Sequence, residues 1–291
     1  MAKINTSEFR AADIYNEKYI QPVMDKIYGL LGWTVLERVE DNLRQYRGAD
    51  VVLKVPVGNS VSYILTMDEK LDSKRRLNSN FFHFKEPNKE DRDATSTFCQ
   101  ELHMYNQAKQ WQNGWFHPEI HAKALNQCYV YVWINGEKDT PFDDKNGRLE
   151  KLTEIEVAVV SHDDLVERLS QDPKFIYTPE AMDKLIANIK ENVYDWNKDK
   201  RFNSPEYSYQ EAYPYYSGYL KERPINLIVP KKVLRDVSIC SYAFKLTGEN
   251  GDEEITSYRR TKPLMSDKGK KQEQIYFSSI KNFKPEIVFE K

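Results

Sequence analysis

The 291-residue sequence predicts a mixed α/β domain, in which helices flank a mixed central β-sheet and further elements follow towards the C-terminus. Strand-like segments rich in β-branched and aromatic residues alternate with segments of helical apolar spacing, and no linker separates two units. Hydrophobic residues make up 40% of the chain, enough for a sizeable core. We expect a core over residues 1–170. Over residues 171–291 we expect a helical and β elaboration that packs on this core and is not an independent domain.

The composition excludes several classes of protein. No apolar run approaches the ~18 residues that a membrane span needs, and the N-terminal residues lack the apolar segment of a secretory signal. The three widely spaced cysteines, Cys99, Cys128 and Cys240, exclude a disulfide scaffold or a cysteine-based zinc cluster, and they favour a reducing cytoplasm. With 43 basic and 45 acidic residues, the net charge is −2. Any binding to nucleic acid must therefore come from a local basic patch.

The first predicted element is a helix over residues 7–32. Its apolar side chains repeat at helical spacing and form one face: Ile20, Met24, Ile27 and Leu31. Pro22 must kink this helix or begin its second part, and Gly32 is suited to end it. Residues 33–39 then predict a short strand.

The remaining elements follow from the same spacing rules. Strands are predicted at 49–57, 61–70, 129–134, 154–160, 225–230 and 233–244. Helices are predicted at 94–112, 163–169 and 178–196, and Asp and Thr178 are the expected caps of the last two. The charged residues 72–93, the Tyr-rich residues 205–224 and the polar tail after 247 are predicted to lack regular structure.

The hairpin over residues 49–70 is the most informative part of the chain. A three-residue loop at 58–60 sets its register. Apolar residues then lie opposite each other on one face: Val51 with Met67, Leu53 with Leu65, Val55 with Tyr63, and Val57 with Val61. The other face carries Asp50 across from Asp68, with Lys70 one repeat further on. Directly opposed Cβ atoms lie about 5 Å apart, so this register brings two carboxylates together.

Two carboxylates this close repel each other and do not both stay ionised without a cation. Mg²⁺ takes oxygen ligands and resolves the conflict. A carboxylate pair that holds Mg²⁺ beside a lysine is suited to phosphodiester hydrolysis, because the ion polarises the phosphate and the lysine orients water or stabilises developing charge.

These residues resemble the PD-(D/E)XK nuclease superfamily, which includes many restriction endonucleases. Its pattern is a helix with a Glu, a hairpin with an Asp and an (Asp/Glu)-x-Lys triplet, and then another helix. Here Asp50 begins one strand and Asp68-Glu69-Lys70 ends the next. The preceding helix offers Glu17 on its inward apolar face, an odd place for a carboxylate without a role. The resemblance covers about residues 10–135 and implies a restriction endonuclease-like core.

By this resemblance, Glu17, Asp50 and Asp68 would ligate Mg²⁺ or Mn²⁺, and Lys70 would serve the attacking water. Glu69 would be the alternate ligand if a bulge exchanged it with Asp68. Ala49 stands where the superfamily name has proline, a common departure in a degenerate motif.

The resemblance also suggests residues that contact DNA. Three basic residues follow the triplet directly and would bind phosphates: Lys74, Arg75 and Arg76. A charged solvated loop explains them equally well. Gln100 is a further candidate on the predicted helix 94–112, although Tyr105 follows it after five residues rather than the four of the superfamily's Gln–Tyr motif.

The implied function is a Mg²⁺-dependent nuclease that hydrolyses DNA phosphodiester bonds, in restriction, phage defence or mobile-element metabolism. One alternative is a catalytically inactive module on the same fold that binds nucleic acid or a protein. Another is a structural protein whose hairpin carboxylates are incidental. The resemblance leaves a homodimer open, and no membrane partner is expected.

Overall fold

The structure of the protein is a computed structural model. It describes residues 20–58, 60–72, 97–105, 109–136, 152–171, 176–191, 212–216, 223–230, 233–234, 237–248, 253–260 and 286–289. The architecture is mixed α/β and mostly β, with a large curled mixed sheet, a four-stranded antiparallel sheet and few helices. Within the described residues, no helix combines the length and the apolar character needed to cross a membrane.

The large sheet has the order β1-β2-β3-β6-β7-β10-β11, and β12 pairs with the first half of β3. Its strands are β1 (Thr34–Arg38), β2 (Val51–Gly58), β3 (Val61–Asp72), β6 (Cys128–Gly136), β7 (Leu152–Ser161), β10 (Ser238–Thr247), β11 (Glu254–Arg260) and β12 (Glu286–Phe289). Among the described strands, β3 and β6 form the one parallel pair. The predicted mixed central sheet is thus confirmed.

The small sheet has the order β5-β4-β9-β8 and is antiparallel throughout. Its strands are β4 (Thr97–Tyr105), β5 (Trp111–Asn113), β8 (Tyr213–Tyr216) and β9 (Ile225–Pro230). It covers part of one face of the large sheet, because Phe98 and Leu102 of β4 share a core with Tyr131 and Trp133 of β6.

Five helices are described: α1 (Gln21–Leu30), α2 (Asn42–Tyr46), α3 (Pro118–His121), α4 (His162–Ser170) and α5 (Pro179–Glu191). Helix α1 begins with Pro22 in its first turn and ends before Gly32, whose φ of 78° suits a glycine. Its predicted apolar face packs on one side of the large sheet. Helices α4 and α5 pack on the other side, with the small sheet. Ser161, rather than an aspartate, caps α4.

The predicted hairpin register is confirmed over most of its length. Val51 pairs with Met67, Leu53 with Leu65, and Val55 with Tyr63. The turn differs from the prediction, because β2 continues to Gly58, which pairs with Val61 through a bulge. The bulge absorbs the extra residue next to the turn, so the register at the far end, where Asp50 lies, is unchanged.

The predicted helix over 94–112 is wrong. Residues Thr97–Tyr105 form strand β4, paired with β9, and Trp111–Asn113 form β5. Phe98, Gln100 and Leu102 alternate toward the core with a period of two, which a strand requires and the helical interpretation overlooked. Pairing with a strand more than 120 positions later decided the outcome, and local spacing does not report such a partner.

The C-terminal part contains strands that the sequence analysis left out. Strand β8 lies within the predicted loop 205–224, and β11 and β12 lie within the polar tail. Strands β8 and β12 are four residues long, and β11 is a polar strand at the edge of the large sheet, so their patterns are too short or too polar to predict strands. The helix at 178–196 is confirmed over Pro179–Glu191, where Thr178 accepts a hydrogen bond from the backbone N–H of Ala181.

Candidate functional site

Three neighbouring strands, β2, β3 and β6, bring the predicted hairpin residues to one face of the large sheet. In the parallel pairing of β3 with β6, Asp68 lies beside Tyr129 and Lys70 beside Tyr131. These tyrosines belong to the core on the side of the small sheet. Asp50 directly precedes β2 and lies across from Asp68. The site therefore lies at the border of the core that contains Tyr129 and Tyr131.

The backbone holds Asp50 in place from both sides. Its N–H donates to the carbonyl oxygen of Met67, and its own carbonyl oxygen accepts from the N–H of Val39. Its side-chain Oδ2 accepts from the backbone N–H of Glu69 at 2.9 Å. The carboxylate is therefore aimed at β3 before any ligand binds.

The carboxyl group of Asp50 lies close to that of Asp68. Burial and then the negative charge of Asp68 raise the pKa of Asp50 to about 8, against the opposing effect of Lys70. Asp68 is only 2% exposed, whereas Asp50 is half-buried. With its pKa at about 8, Asp50 keeps its proton near neutral pH when no cation is bound.

Lys70 supplies the positive charge of the site. Its Nζ lies 2.7 Å from Asp68 Oδ1 and 4.0 Å from the centre of the Trp115 ring. The side chain is 23% exposed, so the ammonium group reaches the surface while its stem is packed. Lys70 is thus held between a carboxylate and an aromatic face, within reach of anything that binds at Asp68.

Glu69 does not enter this site. The register of β3 with β6 runs without a shift from Met67 to Asp72, so the bulge that would exchange Glu69 with Asp68 does not occur there. Glu69 points to the opposite face, where it accepts from the Tyr28 hydroxyl at 2.5 Å and pairs with Arg38. Its predicted role as alternate ligand does not fit this placement.

The other predicted site residues are not part of the cluster as described. Glu17 lies outside the described residues, as do Lys74, Arg75 and Arg76. Gln100 lies on strand β4 and is fully buried, and its amide Nε2 donates to the Tyr131 hydroxyl at 3.0 Å. It supports the tyrosine beside Lys70 from inside the core. Its predicted contact with nucleic acid stays a prediction.

Several residues that the sequence analysis did not assign to the site surround the pair. Asn126, just before β6, is 6% exposed, and Tyr129 is buried against His121, whose Nε2 is hydrogen-bonded to the Tyr129 hydroxyl. The alternation of large aromatic residues in 129–134 predicts a strand with one face buried in the core. The sequence does not show that this strand pairs with β3 in parallel, and this pairing is what places Tyr129 beside Asp68.

The turn before Asp50 approaches this cluster closely. Gly48 has φ of 77°. A Cβ at this position would lie 2.7 Å from Asn126 Oδ1 and 3.1 Å from Asp68 Oδ2. Glycine is therefore required here both for the backbone conformation and for the space between the two oxygens.

The donor set fits a hard divalent cation. It consists of two carboxylates in contact and the amide oxygen of Asn126, which is buried without a hydrogen-bond partner. Mg²⁺ and Mn²⁺ prefer such oxygen ligands. Over the part of the chain that the structure describes, no group of three or more His, Cys, Asp or Glu side chains could hold a metal ion. The two aspartates would therefore need a further oxygen of another kind.

The comparisons with known proteins do not name a family. No family model matches this chain, and neither the curated proteins nor the solved structures gave a match. The fold and the site therefore define a mixed α/β, mostly β protein with a buried carboxylate pair and an adjacent lysine. The functional argument rests on this chain's own residues.

Proposed function

We propose that the protein is a Mg²⁺-dependent nuclease of PD-(D/E)XK type that hydrolyses DNA phosphodiester bonds. The observation that carries the proposal is the meeting of Asp50, Asp68 and Lys70 on one face of the sheet. Two aspartates in contact are costly without a cation, and a lysine at 2.7 Å from one of them is suited to an anionic substrate. A restriction, phage-defence or mobile-element role is part of the same proposal.

The order of elements supports a restriction endonuclease-like core as the finer fold. Helix α1 precedes β1, the hairpin β2–β3 carries the carboxylates, and β6 joins β3 in parallel. One part of the pattern differs. Between β3 and β6, the described residues form β4, β5 and the short helix α3 in place of a long helix.

The residues divide the chemistry between them. Asp50 and Asp68 would hold the cation, which supplies positive charge to the scissile phosphate and to the attacking water. Lys70 Nζ can donate to that water or to a phosphate oxygen, because its stem is packed on Trp115 and only its head is exposed. Asp50 is the group that loses its proton when a cation binds, since its pKa is raised to about 8.

Basic side chains beside the site favour a polyanionic substrate. Arg47 and Lys123 are exposed and adjacent, since the Arg47 guanidinium donates to the Lys123 carbonyl oxygen at 3.1 and 3.2 Å. They lie on the two loops that carry Gly48 and Asn126 into the site. Phosphates of a duplex bound across Asp50 and Asp68 would meet these cations.

Digestion of supercoiled plasmid with Mg²⁺, against the same reaction with EDTA, tests the proposal. The wild-type protein is expected to nick or linearise the plasmid with Mg²⁺ or Mn²⁺ only. Asp50→Asn should abolish cleavage and weaken Mn²⁺ binding measured by calorimetry. Lys184→Ala, which removes an exposed lysine of α5, is the matched control and should cleave like the wild type. Parallel reactions with single-stranded DNA and RNA define the substrate.

The outcomes separate the proposal from its rivals. Absence of cleavage on every substrate, together with Mn²⁺ and DNA binding, would favour the catalytically inactive binding module. Absence of both cleavage and Mn²⁺ binding would leave the carboxylates as incidental features of the hairpin. Equal Mn²⁺ binding by the wild type and Asp50→Asn would remove Asp50 from the site.

A further inference from the structure

The carboxylate pair lacks a third acidic or histidine ligand within the described residues, yet an oxygen is available beside it. Asn126 is buried, with only 6% of its surface exposed, and its side-chain Oδ1 has no hydrogen-bond partner. Leaving a buried amide oxygen unpaired destabilises the folded state, so its position beside Asp68 calls for an explanation.

The orientation of the Asn126 amide follows from its other contacts. Nδ2 donates to the carbonyl oxygen of Cys128 at 3.3 Å and lies on the side of the Tyr129 hydroxyl. The Tyr129 hydroxyl is hydrogen-bonded to His121 Nε2. Burial lowers the pKa of His121 well below its usual value, so the neutral ring can accept a hydrogen bond from the tyrosine hydroxyl. With Nδ2 engaged on this side, Oδ1 is left on the side of the aspartates.

Asn126 Oδ1 and Asp68 Oδ2 both lie close to the same side of Gly48. The point where a Cβ of residue 48 would lie is 2.7 Å from Asn126 Oδ1 and 3.1 Å from Asp68 Oδ2. Both atoms are acceptors and neither can donate to the other. A positive ligand between them satisfies both, whereas an apolar group there satisfies neither.

From these observations, and resting on the proposed function, we propose that Asn126 is a direct protein ligand of the divalent cation, through Oδ1, alongside Asp50 and Asp68. Amide carbonyl oxygens are ordinary ligands of hard cations. Gly48 then lets the α2–β2 turn lie against this third oxygen, because a side chain at this position would clash with it. The site is built from three loops and strands that are distant in sequence: the α2–β2 turn, the end of β3 and the segment before β6.

The test is Mn²⁺ binding by the full-length chain, measured by calorimetry without DNA. Asn126→Ala is expected to raise the dissociation constant for Mn²⁺ about tenfold or more. Asn126→Asp, which keeps an oxygen at this position and adds charge, should bind Mn²⁺ at least as tightly as the wild type. Gln127→Ala is the matched control. It removes the neighbouring amide, whose Oε1 already accepts from the Thr66 N–H at 2.7 Å, and should leave Mn²⁺ affinity unchanged.

Each outcome has a definite meaning. If Asp50→Asn loses Mn²⁺ while Asn126→Ala binds it as tightly as the wild type, Asn126 is not a ligand and the proposed function survives. If the wild type itself does not bind Mn²⁺, the proposed function fails as well.

A second measurement applies if Asn126→Ala does not fold. The rise in melting temperature that Mn²⁺ causes should be larger in Asn126→Asp than in the wild type, because a third carboxylate repels the pair until the cation binds. An equal or smaller rise would overturn the assignment. In crystals soaked with Mn²⁺, the anomalous peak should lie about 2.1 Å from Asn126 Oδ1.

Discussion

Two consecutive residues of β3, Asp68 and Glu69, place a carboxylate on each face of the large sheet, and the two carboxylates have opposite surroundings. Glu69 accepts from the Tyr28 hydroxyl and pairs with Arg38, which also binds Asp25 at 2.5 Å. Asp68 contacts another carboxyl group and has one cation, Lys70.

The difference distinguishes a carboxylate with all its partners inside the protein from one that we propose binds a cation. On the side of α1, both Glu69 carboxylate oxygens accept from donors within the protein, so this carboxylate needs no further ligand. On the side of β6, Asp68 lies beside a second carboxyl group, and within the described residues the Asn126 amide oxygen has no hydrogen-bond donor. An excess of buried acceptors is a cost to folding, and a cation would remove it.

The largest effect is expected from removing the balanced carboxylate. Glu69→Ala leaves the buried Tyr28 hydroxyl without its acceptor and leaves Arg38 paired with Asp25 alone. We expect the free energy of unfolding to fall by about 3 kcal/mol, the lower end for a broken ion pair, because Arg38 keeps one carboxylate. Urea denaturation measures it. Glu37→Ala, which breaks an exposed pair with Arg44, is the control and should change stability little. Mn²⁺ affinity of folded Glu69→Ala should match the wild type, and its loss would place Glu69 in the site after all.

A large effect on rate, with little effect on stability, is expected at Lys70. Lys70→Ala should lower the rate of DNA hydrolysis about 10²-fold or more, because a group that stabilises charge in the transition state is lost. Mn²⁺ binding should persist or tighten, since a nearby positive charge opposes the cation. Single-turnover cleavage and calorimetry measure the two quantities. Cleavage at the wild-type rate would show that the Asp68-Glu69-Lys70 triplet is only a strand end.

The third prediction concerns the pH dependence of stability without metal. The pKa of Asp50 is raised to about 8 in the folded protein, so between pH 4 and 8 the folded state binds more protons than the unfolded state. Stability from this group is therefore present at low pH and is lost as pH rises towards 8, by at most about 1.4 kcal/mol per pH unit. Asp50→Asn should flatten this part of the profile, while Glu69→Gln should not. Identical slopes for the wild type and Asp50→Asn would contradict the raised pKa of Asp50.

The smallest effect is expected from the aromatic support of Lys70. Trp115→Leu removes a cation–π contact of about 0.5–1 kcal/mol, which corresponds to roughly a twofold to fivefold loss of cleavage rate. Trp111→Leu is a matched control, because it removes a similar contact with Lys190 away from the site. Equal rates for both variants would show that Trp115 does not position Lys70.

The hairpin shows how much of the site local pattern can predict. The alternation of apolar residues in β2 and β3 selected the register that places Asp50 beside Asp68, and the structure has that register. The same kind of reasoning failed for residues 94–112, which form strands because β4 pairs with β9. Hairpin partners are neighbours in sequence, so their patterns can be matched, whereas distant partners leave no such match.

By itself, the sequence determined the hairpin, the face that carries Asp50, Asp68 and Lys70, and the end of α1 before Gly32, because each depends on side-chain periodicity or on backbone conformation over a few residues. Only the tertiary structure decided that Asn126 and Gly48 border Asp68, that Trp115 packs on Lys70, and that Glu69 is balanced by Arg38. These contacts depend on the parallel pairing of β3 with β6 and on the packing of α1, and both bring together residues that share no local pattern.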